Sequence, residues 1–184
     1  MLGGGWSNAP DQDQESDFNL ISYIETHDVK TYDEFIDIIA EMAPESVESC
    51  DLQEAYITSF DICIDYESEL VEVTIFSEAG TSRAYGTRNT ASKSYYTKEG
   101  IKIFTVSIEG TFSYTSGSCS AIGSSGTFSK PASSTWLSTP NVSSGNITTR
   151  KAYVKISGVA SNGSSSTSYS LTMTCDDAGQ ISSY

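Results

Sequence analysis

One histidine, His27, and four cysteines, Cys50, Cys63, Cys119 and Cys175, set the limits on catalysis by this 184-residue chain. Triad-type nucleophilic catalysis needs a base held by one partner and placed beside a nucleophile. His27 sits between Thr26 and Asp28, in what reads as a linker between helices, where an exposed polar residue needs no catalytic explanation. A cysteine nucleophile would need the same histidine. No two cysteines have C-x-x-C spacing, and a single histidine cannot complete a tetrahedral zinc site near them. Four widely spaced cysteines instead read as two disulfides in an oxidising compartment. Three pairings are open. Cys50–Cys63 and Cys119–Cys175 are the expected ones, and the longer loop would contribute about 4 kcal/mol by chain entropy.

Carboxylates offer other chemistry. Asp61, Asp65, Glu67, Glu69 and Glu72 are close in sequence, and two of them flanking a sugar could hydrolyse a glycosidic bond. Crowding should raise some of their pKa values, although a solvated acidic face is the simpler reading. Asp11, Asp13, Glu15 and Asp17 alternate as calcium ligands do, so Ca2+ is the one cofactor to consider. Against it, Ser16 stands where a calcium loop has glycine, and Ser22 where it has a bidentate glutamate. A solvated acidic leader over 1–16 is the reading adopted. Trp136, Tyr95 and Tyr96 are the candidate stacking platforms for a cell-surface glycan, with a core role for Trp136 as the competing reading. Lys93, Lys102 and Lys155 are placed for a lysine–asparagine isopeptide bond, but strand alternation turns the needed acid, Glu109, outward.

Charge is sorted along the chain. Residues 1–79 hold 20 of the 24 acids and one base, Lys30; the remainder holds four acids and nine bases, for a net charge of −14. The scattered bases form no stripe for nucleic acid and no patch for an anionic membrane. No run of 18 apolar residues suggests a membrane span. Met1–Trp6 has neither a basic nor an apolar signal region, so a secreted chain is read here in its mature form.

The acidic part predicts an α/β segment over 17–80. A first helix runs through Phe18, Leu20, Ile21 and Ile24 behind Ser16 or Asp17. A second follows the capping box of Thr31 and Glu34, presents Phe35, Ile36, Ile38, Ile39 and Met42, and stops at Pro44. Tyr56–Asp65 and Leu70–Ser77 alternate as a hairpin. Residues 78–92 read as a polar connection. Over 81–184, short Ser/Thr-rich strands are expected at 94–97, 101–115, 119–129, around 134–138, 147–157 and 167–175. Gly110 marks a bulge or close approach. The fold class expected is mainly β: an antiparallel, immunoglobulin-like sandwich carrying an acidic α/β segment of two short helices and a hairpin.

The stretch 91–183 resembles a set of uncharacterised secreted β-rich proteins of Gram-positive, largely gut-associated bacteria. The resemblance rests on Ala91-Ser92-Lys93-Ser94-Tyr95, Gly100–Ile108, Gly110-Thr111-Phe112-Ser113-Tyr114, Cys119, Trp136 and Leu171–Gly179. It implies secretion and a paired-cysteine β-fold, and assigns no chemistry. The expected role is a non-enzymatic surface, adhesion or assembly module. Such a module would associate with itself through its acidic and basic parts, head to tail into a filament, or bind a glycan. A carboxylate-dependent glycoside hydrolase is the remaining alternative.

Overall fold

A computed structural model describes residues 18–47, 57–82 and 86–184. The leader 1–16, Asp11, Asp13, Glu15 and Asp17, and Cys50 lie outside the described residues.

Two helices come first. Helix α1 (Leu20–Thr26) is capped by Asn19, whose side-chain oxygen accepts from the Ile21 and Ser22 N–H groups at 2.9 and 3.2 Å. The cap is therefore Asn19 rather than Ser16 or Asp17: an amide oxygen two residues before the first free N–H serves as well as a carboxylate. Helix α2 (Tyr32–Met42) starts with the expected capping box. The Thr31 hydroxyl accepts from the Glu34 N–H, and the Glu34 carboxylate accepts from the Lys30 and Thr31 N–H groups. Those backbone donors hold the Glu34 carboxyl below its usual range. Pro44, which cannot continue the ladder, opens a short 3-10 turn at Pro44–Ser46.

The rest is antiparallel sheet. Strands β1 (Ile57–Asp65), β2 (Leu70–Ser82), β3 (Gly86–Thr97), β4 (Lys102–Thr115) and β5 (Ser118–Ser129) form a five-stranded sheet in chain order. Strands β6 (Asn141–Thr148), β7 (Lys151–Ser161), β8 (Ser166–Asp176) and β9 (Ile181–Ser183) form a four-stranded one, also in chain order. Both are plain meanders. The crossing connections of an immunoglobulin-like sandwich are not those of these sheets, a correction to the expected topology.

Three further boundaries move. Residues 78–82 are the end of β2 and 86–92 the first part of β3, with Glu78 opposite Asn89. The charge boundary near residue 80 thus falls inside a hairpin, not between two bodies. Residues 147–157 are two strands rather than one, broken by a turn at Thr149-Arg150. Around Trp136 there is a single bridge, Leu137 to Ser161.

Two cores share the five-stranded sheet. On one face Val71, Val73, Ile75 and Tyr96 pack under Leu20, Phe35, Ile38 and Ile39 of the helices. On the other, Tyr95, Phe104, Val106, Ile108 and Phe112 pack against Val154, Ile156, Tyr169, Leu171 and Met173 of the second sheet. The alternation read for β8 holds over Ser168–Leu171, while Thr172 and Thr174, expected to face out, are buried. That read for β4 holds, and so does the close approach at Gly110. A Cβ there would stand 2.9 Å from the Phe112 ring and 3.2 Å from Val154, with the register shift one residue later at Thr111/Phe112. The helices are tied to the sheet they cover. The Leu20 N–H donates to the Lys98 carbonyl at 2.7 Å, and the Lys102 N–H donates to the Ser46 hydroxyl at 3.0 Å.

Phe104 is the hub of the larger core. It stacks on Tyr95 (ring centroids 4.3 Å apart) and Phe128 (5.2 Å), and lies 5.6 Å from Trp136 and 6.1 Å from Tyr169. We expect Phe104→Ala to lower the unfolding free energy by about 3–5 kcal/mol. Urea unfolding followed by tryptophan fluorescence reads this out, and a loss below about 1 kcal/mol would deny Phe104 that place.

Candidate functional site

The described residues gather their chemistry in four places. The first is the aromatic set. Trp136 is 8% exposed and Tyr95 and Tyr96 1% each. Tyr95 and Tyr96 are chain neighbours on one strand, so they point into opposite cores: Tyr95 onto Phe104, Tyr96 edge-on to Phe35 at 5.1 Å. None offers a ring face to a sugar, which corrects the reading of these three as a stacking platform. Burial, and next to it the Glu72 carboxylate, push the Tyr95 phenol far above its ordinary value.

The second place is the face of β1 and β2 that the helices leave uncovered. Phe60, Ile62 and Ile64 turn toward the helices, so alternation puts Asp61, Cys63 and Asp65 on the other side, with Glu72 opposite Cys63. This face is dominated by pairing. Glu72 accepts from Lys93 at 3.2 Å with both side chains largely buried, and Glu69 accepts from Lys98 at 3.0 Å. Asp65 caps the hairpin turn, accepting from the Glu67 and Ser68 N–H groups at 3.1 and 3.2 Å. Hydrogen bonding from the Ser68 side chain, together with those amides, holds its carboxyl below the usual range. That is opposite to the rise expected from crowding, because local donors outweigh neighbouring carboxylates in an open setting. These ion pairs also join the acidic part of the chain to the basic part within one sheet.

A groove of about 280 Å3 forms the third place, lined by Tyr23, His27, Asp28, Glu34, Asp37 and Glu41. His27 stacks on Tyr23 with ring centroids 3.9 Å apart, and its Nδ1 lies 3.0 Å from the Tyr23 carbonyl and 2.9 Å from the Thr26 hydroxyl. A nitrogen that close to a carbonyl donates to it, so His27 finishes helix α1. The Thr26 hydroxyl donates back to the Ser22 carbonyl at 2.8 Å. The Thr26 hydroxyl and His27 Nδ1 are both occupied by the helix end, so His27 closes helix α1, a role its linker position did not announce. Among the described residues no group of three or more His, Cys, Asp or Glu side chains is placed to hold a metal, and no helix is long and apolar enough to cross a membrane.

The fourth place is Cys119 on β5 and Cys175 on β8, one from each sheet, each fully buried in the shared core. Sequence alternation placed both inward, and the structure packs both in the core between the sheets. Both are free thiols here, as is exposed Cys63. Cys175 also lies within 3.4 Å of the Asp176 carbonyl, to which it donates. Burial first, then the neighbouring Cys119, push the Cys175 thiol far above its ordinary value. Sequence alternation could not find the ion pairs across β2 and β3, since they follow from a strand pairing that polar residues did not announce.

Two outcomes follow for the reduced protein. Alkylation of the folded chain should modify Cys63 readily and leave Cys119 and Cys175 untouched until urea is added, as peptide mass mapping would record. The folded state also keeps the Cys175 proton where the unfolded chain loses it. Stability is therefore complete below the ordinary thiol value of 9.0 and declines as pH rises above it. Urea midpoints measured upward from pH 8 should fall, and Cys175→Ala should flatten the slope. Compared with known proteins, the chain matches no family model, no curated protein and no solved structure.

Proposed function

We propose that this protein is an extracellular, non-enzymatic bacterial module that acts in adhesion or in building a surface structure. The observation that carries this reading is the meeting of Cys119 and Cys175. Two buried thiols on different sheets, packed in one core, would form an inter-sheet bridge where the chain matures and thiols are oxidised. The balance is that of thiol–disulfide exchange. The two thiols give up two protons and two electrons, and a disulfide of an oxidoreductase or of a small oxidised thiol is reduced to two thiols. Surface composition supports the same compartment. Uncharged residues, mostly Ser, Thr, Gly and Asn rather than Lys and Glu, line the outward positions of β5, β6 and β8.

The chemistry that is displayed also favours a structural role. Three carboxylates of the β1–β2 hairpin, Glu72, Glu69 and Asp65, are taken up by lysines and backbone amides. His27 Nδ1 is taken up by its helix end, and the three candidate stacking aromatics, Trp136, Tyr95 and Tyr96, are in the cores. The stability of such a module comes from two cores on one sheet and, once oxidised, from the bridge.

The reading is tested on protein made in its own bacterium. Alkylation in urea before reduction should leave Cys119 and Cys175 unlabelled, and alkylation in urea after reduction should label both. The oxidised form should be more stable than the reduced form by about 4 kcal/mol. Protease added to intact cells should remove the protein. Free thiols at both positions, or full protection from the protease, would overturn the extracellular assignment.

A further inference from the structure

The outer face of the four-stranded sheet lies on the side of the molecule opposite the acidic helices. The helices cover one face of the five-stranded sheet and the four-stranded sheet covers the other. Residues 18–47, the helical layer, carry seven acids and one base, whereas 141–183 carry three bases and two acids. Those two acids are engaged. Asp177 accepts from the Gly117 N–H at 3.0 Å and pairs with Arg150 at 3.7 Å. Asp176, the register partner of Lys151, accepts from the Ala178 and Gln180 N–H groups at 3.0 and 2.8 Å. Lys151 and Lys155 remain, and neither takes part in an ion pair among the described residues.

Both lysines belong to one face of β7. Ala152, Val154 and Ile156 are fully buried in the core, so alternation turns Lys151, Tyr153 and Lys155 outward, about 7 Å apart along the strand. A glycine sets the ring between them. Gly145 of β6 is the register partner of Tyr153, and a Cβ there would stand 3.3 Å from the ring and 3.5 Å from its hydroxyl. The Tyr153 ring therefore lies across the neighbouring strand, one face against backbone, where a longer side chain would lift it. Tyr153 stays partly exposed, and no ring pair among the described residues involves it. Its other face is thus left to solvent. Ser143, opposite Lys155, adds a partly exposed hydroxyl on the same side.

We propose that Lys151, Tyr153 and Lys155 form a binding site for an acidic polysaccharide. One sugar stacks on the Tyr153 ring, and acid groups of its neighbours along the polymer pair with the two lysines. This rests on the reading of the protein as an adhesion module and names the partner it would hold. The ring selects a sugar. The C–H face of a pyranose matches a flat aromatic face, and a ring already held from below loses little freedom on binding. Charge selects an acidic polymer over a neutral one, because two lysines without carboxylate partners stand on the side away from the acidic layer. Two lysines neutralise too few phosphates to hold a nucleic acid. The site does not stand out in Lys151-Ala152-Tyr153-Val154-Lys155 itself, because the ring lies flat only where another strand supplies Gly145.

Affinity electrophoresis of the full chain tests this with four polymers: polygalacturonate, dextran sulfate, neutral dextran and polyglutamate. At least one of the two acidic polysaccharides should retard the protein, less so as salt is raised, and the one that does identifies carboxylate or sulfate as the acid recognised. Neutral dextran should not retard it, and polyglutamate should do so far more weakly. Tyr153→Ala, which leaves the charge unchanged, should weaken binding by about tenfold, whereas Tyr153→Phe should bind as the wild type does. Lys151→Gln together with Lys155→Gln should weaken it by about fivefold or more and flatten the salt dependence. Lys130→Gln should leave it unchanged, and circular dichroism would confirm that the variants fold. Retardation by neither acidic polysaccharide, equal retardation by polyglutamate or neutral dextran, or full binding by folded Tyr153→Ala would each overturn the proposal. None of these outcomes bears on the thiol and protease results, which test the extracellular reading separately.

Discussion

Strand β3 is buried on both of its faces, and the two cores exist because it is. A strand sends successive side chains to opposite sides, so Tyr95 and Tyr96 commit to different layers. Tyr95 joins the aromatic stack around Phe104, and Tyr96 closes the pocket beneath Phe35 and Leu20. Each fully buried ring contributes on the order of 2–3 kcal/mol. A slip of one residue in the pairing of β3 with β2 or β4 would exchange the two tyrosines and spoil both layers at once. That penalty pins the register more firmly than the polar residues of Gly86–Thr90 could.

The same strand reconciles the lopsided charge. The acids end on β2 and the bases begin on β3, so their antiparallel pairing sets carboxylates beside ammonium groups. Glu72 meets Lys93 where both are largely shielded from water, and Glu69 meets Lys98 at the turn. The exposed pair is worth little by itself. The shielded one costs desolvation to form and would cost more to break, because the survivor would be left unpaired. A compositional frontier has become the middle of a sheet: composition describes side chains that face water, whereas sheet membership is decided by backbone pairing.

That distinction explains what could be read in advance. The capping box at Thr31 and Glu34 was legible because its partners are three residues apart. The alternations of Phe104–Phe112 and Tyr169–Cys175 were legible because each strand has one apolar face on a core. Residues 78–92 were not, since their strand character comes from pairing between β2, β3 and β4 and not from any apolar rhythm of their own. The break at Thr149-Arg150 was hidden because no glycine or proline marks a turn anywhere between Ile147 and Ser157. Of the candidate chemistry, the inward aim of Cys119 and Cys175 followed from alternation alone. The burial of Trp136, Tyr95 and Tyr96 was open from sequence, where an aromatic in a Ser/Thr-rich stretch suits a core and a surface equally. It was decided by the second sheet and the helices that cover them.

The bond from the Leu20 N–H to the Lys98 carbonyl has a temporal side. During synthesis the helices leave the ribosome first, yet the surface they cover is finished only when β3 and its following turn have emerged, some 80 residues later by this pairing. Helices of 7 and 11 residues cannot hold themselves together in water. For that interval the nascent segment carries Phe35, Ile38 and Ile39 without a partner, beside a density of negative charge that repels like segments.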